Sequence, residues 1–109
     1  MISFRTGIVA LATLFLLYGL SARANADEKS ATLYKAKCAV CHGADGKGKT
    51  PTGRSLHLRD LGSDEVQAMK NEELQKIIED GKGTMPAFKN TLDQASIDAL
   101  IAFIRTLKR

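Results

Sequence analysis

The chain has 109 residues, a formal net charge of +4 and two cysteines. Without the leader described next, the chain suits a single domain that would struggle to bury enough apolar area unaided. The small positive charge is too weak to indicate nucleic acid or another polyanion as the partner.

The first 26 residues are typical of a cleaved secretory signal peptide. Arg5 gives a positive start, residues 7–20 form an apolar core, and Ala24-Asn25-Ala26 has the small-residue pattern of a cleavage site. Removing this leader with its two arginines leaves residues 27–109, with 14 basic against 12 acidic side chains. The alternative is an uncleaved membrane anchor, since the uncharged run 6–22 has 17 residues, the lower limit for a spanning helix. We expect an exported protein with no stable membrane insertion after cleavage.

Residues 28–37 predict a first helix that runs into Cys38-Ala39-Val40-Cys41-His42. Two thiols and an imidazole at this spacing are the attachment signature of a c-type haem. A turn of helix presents both sulfurs to the two vinyl groups, and His42 then becomes the proximal ligand of the iron. The motif therefore predicts one haem c, bound covalently at Cys38 and Cys41.

Three other interpretations of the motif agree less well with the chain. A thioredoxin-like redox pair normally opens a helix within alternating strands and helices, a pattern that this sequence lacks. A structural zinc site needs about four ligands, and only His57 remains as a further donor of the usual kind. A disulfide between Cys38 and Cys41 closes a very short loop and leaves His42 without a role.

The segment 43–62 is rich in Gly, Lys, Thr and Pro and has no sustained periodicity. It predicts an ordered loop that is held by the haem rather than by a core of its own. Arg54 and Arg59 are candidates for contacts with the haem propionates, and solvated surface charges are the alternative.

Caps and apolar spacing predict three further helices. The first spans 63–69 with Ser63 as its cap, and the second spans 71–81 with Asn71 as its cap and Gly81 as its end. In the second helix one apolar face is available for the haem pocket, formed by Leu74, Ile77 and Ile78.

The last predicted helix begins near Asp93 and keeps helical spacing to the end of the sequence. Its apolar stripe consists of Ile97, Leu100, Ile101, Ile104 and Leu107. The positive side chains at its end suit the helix dipole, and the sequence indicates no partner for them; they are Arg105, Lys108 and Arg109.

The second half of the haem signature is a Gly-rich run that contains Met85-Pro86. The motif from Cys38 to His42, followed by this Met-Pro and a closing amphipathic helix, resembles class I cytochrome c of the small bacterial monohaem type. The resemblance covers nearly all of residues 27–109 and implies an all-α cytochrome c fold, with about four short helices around one covalently bound haem. It implies that His42 and Met85 are the two iron ligands, and a thioether opposite a histidine raises the reduction potential.

The resemblance also implies particular contacts. The carbonyl of Pro51 is the candidate acceptor for the Nδ1 hydrogen of His42. The first and last helices are expected to cross near Tyr34, where Ser30 allows close contact. His57 is the rival for the sixth ligand position and implies a lower potential, whereas Met69 is expected to belong to the core.

We interpret the chain as a monomeric, periplasmic, one-electron carrier and not as an enzyme, because two strong axial ligands leave no open coordination position. Its expected partners are redox proteins that dock transiently, with no nucleic acid. The predicted docking surface has an apolar centre (Ala39, Val40, Ala87 and Phe88) and a cationic rim (Lys47, Lys49, Lys82 and Lys89).

Two alternatives remain open at the level of sequence. One is a dedicated electron-transfer subunit of a dehydrogenase or oxidase complex, which has the same haem chemistry. The other is a haem enzyme or gas sensor in which Met85 leaves the iron, with His57 and Arg54 or Arg59 as the only conceivable distal residues.

Overall fold

The structure is a computed structural model that describes residues 26–109, so the predicted signal peptide lies outside the described residues except for its last alanine. Helix α1 covers residues 26–37. It is followed by α2 (Ala39–His42), α3 (Pro51–Ser55), α4 (Asp64–Gln67), α5 (Asn71–Asp80) and α6 (Gln94–Thr106). Apart from an isolated bridge between Lys82 and Met85, the described chain contains no strand, which confirms the all-α prediction.

The core lies where α1, α4 and α5 meet the last helix. Four of its eight buried hydrophobic residues come from the predicted stripe of α6, and Tyr34 is only 1% exposed. The Tyr34 ring lies 4.5 Å from the ring of Phe103, which confirms the expected contact between the first and last helices. Ser30, one turn before Tyr34, is also buried, as a close helix approach requires.

The helix ends agree with the sequence at three of the four predicted positions. Ser63 Oγ accepts from the Val66 N–H at 3.4 Å, and Asp93 Oδ1 accepts from the Ser96 N–H at 2.8 Å. Gly81 ends α5 with a φ of +73°, which a glycine adopts without strain. The prediction of Asn71 as a cap is wrong.

The cap of α5 is the residue before Asn71. Lys70 holds the N-cap position with an extended backbone, and the Glu73 carboxylate accepts from the Lys70 N–H at 2.7 Å. This satisfies one of the free amide groups at the helix start, so no cap from Asn71 is needed. The Asn71 side chain instead accepts hydrogen bonds from Arg105.

Helix α3 lies within the segment that was predicted to be a loop. Thr50 is its N-cap, with Oγ1 accepting from the Gly53 N–H at 2.9 Å, and Pro51 occupies the first helical position. Five residues are too few to show a helical period, but a threonine followed by a proline is a recognised start signal.

Two of the three basic side chains at the end of the chain have partners, namely Arg105 and Arg109. The expectation that they need none is wrong for these two. The Arg109 guanidinium pairs with the Asp60 carboxylate and donates to the carbonyl of Asp45. The Arg109 N–H also donates to the carbonyl of Gly62 at 3.2 Å. Arg105 binds the connection between α4 and α5.

Within residues 26–109 the longest apolar helix falls short of what a membrane span requires.

Candidate functional site

An apolar cavity of about 350 Å³ lies between α2, α5, α6 and the segment that carries Met85. The four predicted cofactor residues all line this cavity, namely Cys38, Cys41, His42 and Met85. The predicted apolar face of α5 lines it as well, through Leu74, Ile77 and Ile78. Residues far apart in sequence therefore meet around one hollow whose wall is mostly hydrocarbon.

The Cys-x-x-Cys-His motif is presented by a direct continuation of α1. The Cys38 N–H donates to the Tyr34 carbonyl at 2.8 Å, and the His42 N–H donates to the Cys38 carbonyl at 2.9 Å. Both cysteines are half-buried and are not joined to each other by a disulfide. Burial, followed by the nearby Cys41, raises the pKa of the Cys38 thiol to about 11. The short helix thus turns both sulfurs and the imidazole towards one space.

The imidazole of His42 is in the form that a metal requires. Burial lowers the pKa of His42, so the ring is neutral and keeps a free lone pair for coordination. Its Nδ1 atom is buried and has no hydrogen-bond partner. Buried polar atoms without a partner are rare in folded proteins, and a metal-binding histidine usually donates through its second nitrogen, so this atom departs from the usual pattern.

The hydrogen bond expected between His42 Nδ1 and the carbonyl of Pro51 is not formed. Pro51 opens α3, where a backbone carbonyl is directed along the helix axis towards the residue four positions later. The side chain that joins α3 to the haem motif is instead that of Thr50. Its Oγ1 donates to the Cys41 carbonyl at 2.6 Å while accepting from the Gly53 N–H.

The backbone around Thr50 is packed tightly against the motif. The Gly48 N–H donates to the His42 carbonyl at 2.8 Å. A Cβ atom added to Gly53 would lie 2.7 Å from the Cys41 carbonyl oxygen and closer still to that of Gly48. Thr50 and Gly53 are positioning residues that sequence reasoning missed, although the capping signal of Thr50 pointed to an ordered turn.

Met85 is held in a tight turn that α5 anchors. Its N–H donates to the Lys82 carbonyl at 3.0 Å, and the Lys82 N–H donates to the Met85 carbonyl at 3.3 Å. Gly83 supplies the positive φ of +59° that this turn needs. Beyond the turn, the Phe88 N–H donates to the Ile78 carbonyl at 3.0 Å, which ties the segment back to α5.

The rival residues for the site occupy different positions. His57 is exposed, lines the edge of the cavity and has a φ of +53°, the one positive value for a non-glycine residue in the described range. Arg59 also lines the cavity and pairs with Glu65 at 3.1 Å, whereas Arg54 is absent from the lining. Met69 lines the cavity and packs against the core, so it is a wall residue with a thioether.

The mouth of the cavity is apolar and positively charged. The exposed large hydrophobic residues of the described chain are Val40 and Leu56, at 72% and 40% exposure, and both line the cavity. All charged lining residues are basic, namely Lys37, Arg59 and Lys82. Of the predicted rim, Lys89 forms an ion pair with Asp80 at 3.5 Å.

The residues around the cavity fit a haem c. A mostly hydrocarbon wall suits the porphyrin, and two half-buried thiols are available for thioether bonds. A neutral imidazole and a thioether that line the same cavity supply the donor set of a His/Met iron site.

Comparison with known proteins also indicates a protein that binds haem c. The family model described as cytochrome c oxidase, cbb3-type, subunit III matches residues 25–104. The CcoP subunit of a cbb3-type cytochrome c oxidase from Azospirillum brasilense is 33% identical over 89 residues, covering 80% of this chain and 30% of that protein. This chain therefore spans only about a third of the length of that relative.

Two smaller proteins are similar over most of their own length. Cytochrome c6 from Bryopsis maxima is 29% identical over 77 residues, covering 71% of this chain and 86% of that protein. The solved structure of the KustC0563 c-type cytochrome has a TM-score of 0.69 and 32% identity, covering 73% of this chain and 98% of that one. The chain therefore belongs to the matched cytochrome family, as a small class I c-type cytochrome whose cofactor is haem c.

Proposed function

We propose that this cytochrome is a periplasmic monohaem carrier that passes single electrons between other redox proteins. In this proposal Cys38 and Cys41 hold the haem through thioether bonds, and His42 and Met85 are its axial ligands. The observation that carries the proposal is that these four side chains line one apolar cavity. When bound, the haem iron supplies a reversible one-electron couple.

The residues of the chain have separate tasks in this role. The neutral imidazole of His42 donates a lone pair, and the soft thioether of Met85 favours the reduced state. The hydrocarbon wall excludes water and so lowers the dielectric around the iron. A low dielectric also favours the reduced state, because it disfavours the additional charge of the oxidised site. If His42 and Met85 both hold the iron, they would leave no position for a substrate, so we propose a carrier and not an enzyme.

Electron exchange requires a partner to reach the cavity mouth. Val40 and Leu56 offer an exposed apolar contact there, and Lys37 and Lys82 add positive charge beside it, whereas Arg59 is paired with Glu65. A small contact of this kind suits a brief encounter, since weak redox complexes bury little area. We therefore propose transient docking of a monomer at this mouth. The signal-like leader supports export to the periplasm.

A second candidate is a dedicated subunit of an oxidase complex, because the matching family model and the CcoP relative are described as cbb3-type oxidase subunits. Size-exclusion chromatography of the native extract separates the candidates. A carrier elutes at the mass of the single chain, and a subunit co-elutes with its complex.

Intact mass and a redox titration of the purified protein test the main proposal. We expect a mass equal to residues 27–109 plus one haem, no free thiol, and one reversible single-electron wave with a low-spin spectrum. Two free thiols in the exported protein would contradict covalent attachment.

A further inference from the structure

Arg105 of α6 makes more side-chain hydrogen bonds than any other residue in the described chain. Its Nη1 donates to the Gln67 carbonyl at 3.0 Å, and its Nη2 donates to the Met69 carbonyl at 2.6 Å. Nε and Nη2 also donate to Asn71 Oδ1 at 3.1 and 2.8 Å. These partners lie 34 to 38 positions earlier in the sequence, so one guanidinium joins the last helix to the connection between α4 and α5.

The acceptors explain why an arginine is suited to this position. Gln67 ends α4 and Met69 follows it, and carbonyls at the end of a helix have no partner within it. A planar guanidinium offers several N–H groups in a fixed arrangement, whereas an ammonium group is a single point charge. The Gln67 side chain adds a second link, because its Nε2 donates to the Leu61 and Ile104 carbonyls at 2.7 and 2.9 Å.

The central residue of this connection faces the haem cavity. Met69 accepts the shortest of the Arg105 hydrogen bonds through its carbonyl, and its side chain lines the cavity. Val66 and Leu74, on either side of the connection, line the cavity as well. The position of this part of the wall is therefore fixed from outside by Arg105.

We propose that Arg105 is a positioning residue of the haem site, which holds the side chain of Met69 in the cavity wall so that Met69 excludes water from the haem. The inference rests on the proposed function, since it assumes that haem c fills this cavity. Arg105 acts through the Met69 backbone and does not touch the cofactor.

The reduction potential of Arg105→Ala tests the proposal. We expect a lower potential than in the wild-type protein, because a loosened wall admits water and a more polar site stabilises the oxidised iron. In ferrous protein labelled at the methionine methyl groups, the Met69 signal should also move, since ring-current shifts depend on its distance from the porphyrin. Arg105→Lys should rescue neither property, because its ammonium group cannot bind three acceptors in the same geometry.

A double-mutant cycle separates positioning from general stability. In a Met69→Ala background the side chain through which Arg105 acts is gone, so Arg105→Ala should cause little further change in potential. Lys108→Ala is the matched control, since Lys108 is exposed near the same helix end and has no side-chain bond in the described structure. This control should leave the potential and the Met69 signal unchanged.

Several outcomes would overturn the inference. If Arg105→Ala lowers only the melting temperature, with potential and Met69 signal unchanged, Arg105 has a structural role alone. If Arg105→Ala does not fold, Arg105→Lys is measured instead, and a potential and a Met69 signal equal to those of the wild type would then contradict the proposal. A wild-type protein without a haem spectrum would contradict the proposed function itself, and this is seen before any variant is made.

Discussion

The hydroxyl of Tyr34 donates a hydrogen bond to the carbonyl of Gly43 at 2.8 Å. The bond joins the buried face of α1 to the residue that ends the motif helix α2. Since the Cys38 N–H donates to the Tyr34 carbonyl, both ends of the haem motif are attached to one tyrosine.

Replacing Tyr34 with Phe should remove this hydrogen bond and keep the packing of the ring. We expect a loss of about 0.5–1.5 kcal/mol in the free energy of unfolding, the usual net value of such a bond. Denaturant unfolding of the holoprotein at neutral pH measures it. Tyr34→Ala should cost more, roughly 3–5 kcal/mol, because the buried ring is lost too. Equal losses for the two variants would contradict the prediction that the ring of Tyr34 adds stability beyond its hydrogen bond.

The same tyrosine predicts a pH dependence of stability. Burial, with the nearby Asp45 carboxylate adding to it, raises the pKa of Tyr34 above its ordinary value. The folded state thus holds the phenol proton more tightly than the unfolded state. This contribution is complete below about pH 10 and is lost as the pH rises through that value towards the folded pKa. The stability difference between wild type and Tyr34→Phe should therefore shrink above pH 10, and parallel stability profiles would argue against it.

Replacing Met85 with Ala should separate iron ligation from haem attachment. Cys38, Cys41 and His42 are untouched, so the haem should stay covalently bound. The loss of the thioether should remove the weak long-wavelength sulfur band, lower the reduction potential and allow carbon monoxide to bind. His57→Ala is the control and should keep the band and the potential. The reverse pattern would identify His57 as the sixth ligand.

Replacing both cysteines with Ala should remove the covalent attachment. The small domain then loses its hold on the group that completes its core, so we expect a strong reduction in holoprotein yield. Haem content per protein chain, measured after denaturing chromatography, reports this directly. A normal yield of haem that survives denaturation would show attachment elsewhere in the chain.

Replacing Gly53 with Ala should disturb the packing of α3 on the haem motif. The new Cβ atom would overlap the backbone oxygens of Gly48 and Cys41, and backbone groups cannot move aside as a flexible side chain can. We expect a loss of roughly 1–3 kcal/mol in the free energy of unfolding, which is typical of overpacking. Gly83→Ala is the control: nothing lies within 4 Å of its added Cβ, so only the strain of a positive φ remains, roughly 1–2 kcal/mol. Urea unfolding measures the loss of unfolding free energy in both variants, and we expect the larger loss for Gly53→Ala.

The sequence predicted the features that depend on neighbouring residues. Helical spacing located α5 and α6, with the start of α6 near Asp93, and local side-chain chemistry identified the cap Ser63. The predicted haem residues do line one cavity, namely Cys38, Cys41, His42 and Met85. They could be predicted because each belongs to a short motif with a strong chemical signature.

The sequence failed where the deciding contact is distant. The Arg105 and Arg109 side chains bind partners 34 or more positions away, and no local pattern carries that information. Asn71 has the chemistry of a cap, but Arg105 takes its side-chain oxygen while Glu73 satisfies the helix start. Helix α3 was missed because five residues give no measurable period.

The anchoring of the Met85 segment at both ends has a kinetic consequence. Gly81 closes α5 on one side, and on the other side the Phe88 and Lys89 N–H groups bond to the carbonyls of Ile78 and Glu79. Releasing Met85 therefore requires only that this short loop open, while the α1 and α6 contact stays intact. The loop should form an opening unit of its own, so its amide hydrogens exchange with solvent deuterium well before those of α6.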